Sequence, residues 1–419
     1  MYENSIDFAR TLDSTDKLSA FRNEFHLLHK NGQPITYLCG NSLGLQPKSA
    51  KAYVEQELHD WATLGVEGHF HGKNPWMYYH HFLTEHAARV VGAIPVEVVV
   101  MNNLTANLHL MMVSFYRPTQ TRYKIMMEVS AFPSDQYAME TQAKFHGFNP
   151  DDAIIELKPR EGEYTLRTED VVAKIHEHKN DLAIVMMGGV NYYTGQAFDM
   201  EAITKAAHAV GATAGFDCAH AAGNLHLKLH DWNVDFAVWC TYKYLNSGPG
   251  GTSGVFVHER HAKNADLPRF AGWWGHDEKE RFLMKKGFKP MEGAAGWQLS
   301  NAQIFPMAIH KASLELFDRA GMENLRAKSE KLTGYLEFIL KPFSEHLTII
   351  TPSNPAERGC QLSVIVKQNG KHLFDYLVDN NILPDWREPD VIRMSPVPMY
   401  NTFEEVYSIG EILKSYFKN

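Results

Sequence analysis

Between about residue 95 and residue 258, short apolar runs take turns with amphipathic helical stretches, and few folds accept that alternation. Val96–Met101, Lys124–Glu128, Leu182–Met187, Ala212–Asp217, Phe236–Cys240 and Gly254–His258 each read as a strand. The stretch after Asn107 (Leu108, Met111, Met112, Phe115) and residues 200–210, closed by Gly211, read as helices. Strands alternating with helices build a doubly wound, mostly parallel sheet, so the expected class is α/β. Ligands of such sheets bind beyond the carboxyl ends of the strands.

Outside that block the pattern is mostly helical. Residues 1–30 (Phe21, Phe25, Leu28), 48–64, 76–92 and 303–340 have helical spacing. Residues 402–417 form a closing helix, with Thr402 and Glu405 in capping-box spacing. Leu38–Pro47 and Gly65–Trp76 read as loops, and Gln361–Val366 as one more strand. Three parts follow: a helical N-terminal segment (1–64) that packs with a small domain, a large ligand-binding domain (65–305), and a smaller α+β domain (306–419).

The chain of 419 residues carries a net charge of −8, which argues against nucleic acid or an anionic membrane as the main partner. No apolar run approaches the ~20 residues of a membrane helix. The first residues carry acids and no apolar core, so no signal peptide is expected. Four cysteines (Cys39, Cys218, Cys240, Cys360) lie far apart without CxxC spacing, as suits reduced thiols in cytoplasm. Among 22 histidines, His69 and His71 have metal-ligand spacing but no third ligand at a recognisable interval, so no metal site is expected. Gly248–Gly254 fails G-x-G-x-x-G at Ser253, which disfavours a nicotinamide site.

The chemistry concentrates at two strand ends. Lys243 sits just past the Phe236–Cys240 run, between Tyr242 and Tyr244. Burying an unpaired ammonium is costly, so either this lysine snorkels to water or it is an amine nucleophile that forms an imine with an aldehyde. Asp217 ends the preceding strand and is followed by Cys218-Ala-His220. It is either a helix N-cap or a carboxylate aimed into the crevice. Pyridoxal phosphate, a common protein-bound aldehyde, needs both groups: an amine for its aldehyde carbon and a carboxylate for its ring nitrogen. At ~4 Å and an effective dielectric of ~20, the second contact is worth on the order of 4 kcal/mol. Thr105 either caps the helix it begins or offers a hydroxyl to a phosphate there. Phe132 either stacks on a flat ring or plugs the core.

At Gly215–His220 and Thr241–Asn246 the chain resembles the fold-type I pyridoxal-phosphate enzymes, and closely the kynureninases. Cys39–Pro47, Phe132–Asp135, Tyr193–Gln196, Gly272–His276, Leu299–Asn301 and Arg393–Pro398 resemble segments of that family in the same order. The resemblance implies pyridoxal 5'-phosphate as cofactor and a homodimer with shared sites. By the same resemblance Lys243 would hold the cofactor and move the substrate's α-proton, Asp217 would pair the ring nitrogen with His220 beside it, and Phe132 would stack. Pro133, Ser134 and Asp135 would line the cofactor, Leu104 and Thr105 its phosphate end. Tyr242 would touch the phosphate and relay protons. Trp273 and Asn301 would reach across from the partner subunit. Arg393 would grip the α-carboxylate, and His69, His276, Ser300 and Asn301 would face the aromatic amine. Gly188 stands where relatives can place a serine near the phosphate.

The implied reaction is hydrolysis of L-kynurenine, or its 3-hydroxy form, to an anthranilate and L-alanine. Its rivals are a cysteine desulfurase of the same fold, which would need a reactive cysteine such as Cys39 or Cys360 on a mobile loop, a cofactor-free binding protein, and a hydrolase with a histidine-bound metal.

Overall fold

The computed structural model describes residues 2–262, 264 and 266–418. Seven strands form its main sheet: β1 (Val98–Met101), β2 (Lys124–Glu128), β3 (Ile154–Leu157), β4 (Leu182–Gly188), β5 (Thr213–Asp217), β6 (Phe236–Cys240) and β7 (Ser253–Val257). Their order is β1-β7-β6-β5-β4-β2-β3. The pairs from β6 through β3 are parallel, and β7 runs antiparallel between β1 and β6. The α/β expectation therefore holds, with one reversed strand.

Strands β1, β6 and β7 are buried along their whole length, as a sheet covered by helices requires. One face packs Val100, Met126, Val185, Phe216, Ala237 and Trp239. The other packs Val99, Ile125, Met127, Met186, Phe236 and Val238 against Leu108, Met111 and Met139. Alternate residues of single strands thus feed two cores.

A second sheet holds β8 (Leu347–Ile349), β9 (Leu362–Val366), β10 (Asp385–Arg387) and β11 (Val391–Met394), all antiparallel, in the order β8-β9-β11-β10. Helices Met322–Leu340 and Phe403–Lys418 cover it, and Ala9, Phe8 and Leu12 of the N-terminal helix join that core. The Thr402–Glu405 capping box forms in both directions, each bond 3.1 Å.

Several local expectations need correction. Residues 1–30 are not one helix: Ile6–Ser14 is α-helical, Ser19–Glu24 is a 3₁₀ turn, and His29–Lys30 is extended. Gly65–Trp76 is not all loop, because Gly68–His71 closes a helical turn. The helix expected over 76–92 begins properly at His81, after a 3₁₀ turn at Trp76–Tyr78. Residues 303–340 divide at Gly321, whose φ of 74° suits the residue without a side chain and no other.

Candidate active site

Each main-sheet strand that matters ends at the same edge. Asp217 is the last residue of β5, and Lys243 follows β6 by three residues. The two strands are parallel neighbours, with Asp217 opposite Val238. One cleft at that edge is lined by Leu104, Phe132, Asp135, Gly188, Asp217, His220, Tyr242 and Lys243, together with Glu128, Val190, Tyr192 and Ala219. Three residues with left-handed backbone, Asn102, Ser130 and Asn246, sit on the loops after β1, β2 and β6 and turn the chain around this edge.

The loop read as Leu38–Pro47 braces the lysine segment from behind. The Gly44 N–H donates to the Tyr242 carbonyl at 2.9 Å. A Cβ on Gly44 would come within 2.4 Å of the Lys243 carbonyl oxygen, so a side chain there would displace the lysine's own backbone.

Within the cleft, Lys243 Nζ donates to His220 Nε2 at 2.9 Å and lies 5.6 Å from the Phe132 ring centre. Burial, then the Lys243 charge, holds His220 well below the ordinary imidazole range, so the ring is neutral and free to accept. Burial raises the Asp217 carboxyl, and burial with the Asp217 charge raises Asp135 further. Asp217 Oδ1 also accepts the Ala219 N–H at 2.7 Å, a turn bond two residues on; among the described residues no helix lies between β5 and β6, so Asp217 is not a helix N-cap. Burial, with Cys240 beside it, pushes the Tyr242 phenol up.

Thr105 does not cap its helix. Asn103 does, accepting the Ala106 N–H at 3.2 Å. That leaves the Thr105 hydroxyl 2.7 Å from the Ser134 hydroxyl. Both sit in the first turns of helices, Leu104–Phe115 and Pro133–Phe145, so two positive helix ends and two hydroxyls converge. The residues fit pyridoxal phosphate: an anion cradle at one end, an aromatic face at Phe132, an amine at Lys243 and a carboxyl at Asp217. Two buried polar atoms at this site, Asp135 Oδ1 and His220 Nδ1, have no hydrogen-bond partner, as expected where a polar ligand supplies one.

Arg393 belongs to β11 and is fully buried. Its Nη1 donates to the Tyr192 carbonyl at 2.7 Å, its Nε to Asp385 at 3.0 Å and its Nη2 to Ser42 at 3.2 Å. It therefore ties the smaller sheet and the N-terminal loop to a cleft residue. The remaining expected residues do not reach the cleft of their own chain. Trp273 and His276 line a separate depression with Arg281 and Phe288. Ser300 and Asn301 are exposed, and His69 packs edge-on against Trp76.

Sequence reasoning passed over Glu128 and Tyr192. Glu128 ends a parallel strand as Asp217 does, so the same rule would have found it. Tyr192 gave no signal: its ring meets Phe132 at 5.3 Å only because a loop returns there.

The thiols show no reactive character. Burial pushes Cys39 and Cys360 up to about 12, and raises Cys218 and Cys240. Among the described residues, two groups of histidine and acid come within reach of a shared cation, and neither includes His69 or His71. In one, Glu97 already accepts the Ile94 and Glu259 N–H groups and His230. In the other, burial, then His81 and the Arg281 charge, takes His80 down to about 3.

Residues 325–413 match the model of the kynureninase C-terminal domain. A kynureninase of Myxococcus xanthus is 58% identical over 418 residues, covering 99% of this chain and 98% of that protein. One from Nematostella vectensis is 48% identical over 438 residues, covering 99% and 94%. In fold the chain is similar to an apo cysteine desulfurase from Thermococcus onnurineus, with a TM-score of 0.77 and 18% identity over 92% of this chain and 95% of that one. It is similar too to a C-DES variant with glycine covalently linked to its PLP cofactor (TM-score 0.74, 15% identity, 90% and 96% covered). At 58% and 48% identity to those two kynureninases over nearly the whole length, the chain belongs to the kynureninase family.

Proposed function

We propose that the chain is a pyridoxal-phosphate-dependent hydrolase that cleaves the Cβ–Cγ bond of L-kynurenine, and of its 3-hydroxy form, to an anthranilate and L-alanine. One observation carries the reading: Lys243 and Asp217 come from neighbouring parallel strands and line a single cleft. Full-length relatives named kynureninase support the reaction class. Three of the four thiols are buried and the fourth, Cys39, is half-buried with its thiol pushed up to about 12, which speaks against the desulfurase rival.

When bound, the cofactor supplies a sink for the electron pair formed at the substrate's α-carbon. The chain's residues do the rest. Lys243 holds the aldehyde carbon and shuttles the α-proton, with neutral His220 at 2.9 Å to orient its amine. Asp217 keeps a proton on the ring nitrogen, with Asp135 close by. Thr105, Ser134 and the two helix ends bind the phosphate, with Leu104, Pro133 and Gly188 as their walls, and Phe132 covers the ring. Tyr242, protonated at neutral pH because burial raises it, passes protons as water adds to the γ-carbonyl and the bond breaks. Arg393 takes the α-carboxylate with its planar fork.

In this reading Trp273 and Asn301 of the partner subunit complete the cofactor site of a homodimer, and His69, His276 and Ser300 face the aromatic amine. Residues 65–305 act as the cofactor-binding domain and 306–419 as the smaller domain, joined by 1–64. The enzyme works in the cytoplasm, where its unpaired cysteines stay reduced.

The test is direct. The purified protein carries a visible cofactor band, and adding L-kynurenine produces anthranilate fluorescence. A colourless protein that gains no band with added pyridoxal phosphate and releases no fluorescent product overturns the reading.

A further inference from the structure

The cleft holds a third carboxyl that the chemistry above leaves without a task. Glu128 ends β2 and is buried. Both of its oxygens receive the Gly188 N–H, at 3.2 Å each. Gly188 ends β4 and pairs in register with Asp217 of β5. Glu128, Gly188 and Asp217 therefore stand side by side across the carboxyl ends of three successive strands of the sheet.

A carboxyl so deeply buried, with a single shared backbone donor from a neighbouring strand, is costly as packing alone. Burial pushes Glu128 up to about 7, bonds from its own N–H and from Gly188 oppose this, and the Asp217 charge adds to the rise. The groups facing it are known from each side. Asp217 approaches from β5 and Asp135 from the Pro133–Phe145 helix, and Lys243 follows β6 on the same cleft. Behind it lies a second cavity of about 230 Å³, shared with Ser130, Glu163, Tyr164, Asn191 and Tyr193. Glu128 is the residue common to this cavity and the cleft.

Gly188 fits the same picture. A Cβ there would lie 3.0 Å from Glu128 Oε1, tighter than side chains normally tolerate, so glycine leaves room for the carboxyl.

We propose that Glu128 is a positioning residue of the cofactor site: it pins the end of β4 beside Asp217, and its charge sets the protonation of the groups that hold the cofactor. This rests on the cofactor reading above. Glu128 touches neither substrate nor reacting atoms. It acts through Gly188, Asp217 and Asp135. Above about pH 7 an ionised Glu128 favours the protonated, cationic form of the bound cofactor.

The experiment titrates the visible band of the full-length holoenzyme with pH, without substrate, and measures pyridoxal phosphate affinity of the apo-protein. Glu128→Gln keeps the shape and an acceptor but no charge, so the band's midpoint moves to lower pH by about half a unit or more. Glu128→Asp keeps the charge but cannot reach Gly188, so the midpoint stays near that of the parent while the cofactor binds several-fold more weakly. Glu163→Gln, on the far cavity, changes neither. If Glu128→Gln titrates at the parent midpoint, or Glu128→Asp binds the cofactor as tightly as the parent, the proposal is wrong. A parent protein with no visible band at all would instead sink the cofactor reading, and this inference with it.

Discussion

Lys243 Nζ and His220 Nε2 stand 2.9 Å apart, a cation-forming amine against an imidazole that burial keeps neutral. His220 Nδ1 is already buried without a partner. Lys243→Ala would leave both ring nitrogens unpaired. It should abolish turnover and any borohydride-trappable cofactor, and destabilise the cofactor-free chain by about 1–3 kcal/mol in urea unfolding. Trapped cofactor on the alanine variant would show that another amine is used.

Tyr242 tests the proton relay separately from cofactor capture. Tyr242→Phe removes one hydroxyl and no ring. We expect the visible band to persist while kcat falls ~10²–10⁴-fold. Stopped-flow absorbance would place the loss after substrate binding, and unchanged kcat would remove the phenol from the mechanism.

Arg393 binds three partners in three parts of the chain. Arg393→Lys keeps the charge but loses the planar fork. KM for kynurenine should rise about tenfold or more, and substrate analogues without the carboxylate should bind the two forms alike. Equal KM values would show that the carboxylate is held elsewhere.

The four thiols give a chemical test. With Cys39 and Cys360 pushed up to about 12 and all four free, a disulfide reagent should label the native protein slowly and incompletely near pH 8. Four equivalents should react in denaturant. A fast stoichiometric burst on the folded protein would reopen the desulfurase comparison.

Acid stability should report on Asp235, at the opposite end of the sheet. Burial raises this carboxyl, but bonds from His208 and His261 at 2.8 Å, with the Arg260 charge, outweigh it and leave it far below the usual range. A depressed folded value means its contribution is complete above the unfolded carboxylate value near ~4 and drains away as pH falls below it. Asp235→Asn should therefore lower the unfolding midpoint at pH 6 by more than at pH 3. Equal losses at both would show the bonds matter without the charge.

How much of this was legible in the chain follows from range. Asp217 and Lys243 end adjacent apolar runs, so one rule about strand ends found both. Glu128 obeyed that rule too, but the Phe132–Asp135 segment just beyond it drew the reading away. The Ile154–Leu157 strand is four residues long and half covered, too short for periodicity to register. Phe21 and Phe25 have helical spacing, yet a 3₁₀ turn followed by extended chain meets the same contacts. The depression holding Trp273 and His276 lies away from their own chain's cleft, a fact no spacing encodes. Arg393 could be named, but its grip on Tyr192 depends on how two sheets face each other.

Glu128, Gly188, Asp217 and Lys243 arrive in that order along the chain, from the ends of β2, β4, β5 and β6. No nascent fragment that stops short of β6 owns both poles of the heterocycle's berth. Colour should thus appear only when synthesis or refolding has finished the sheet, making the yellow of the loaded protein a clock for its own assembly.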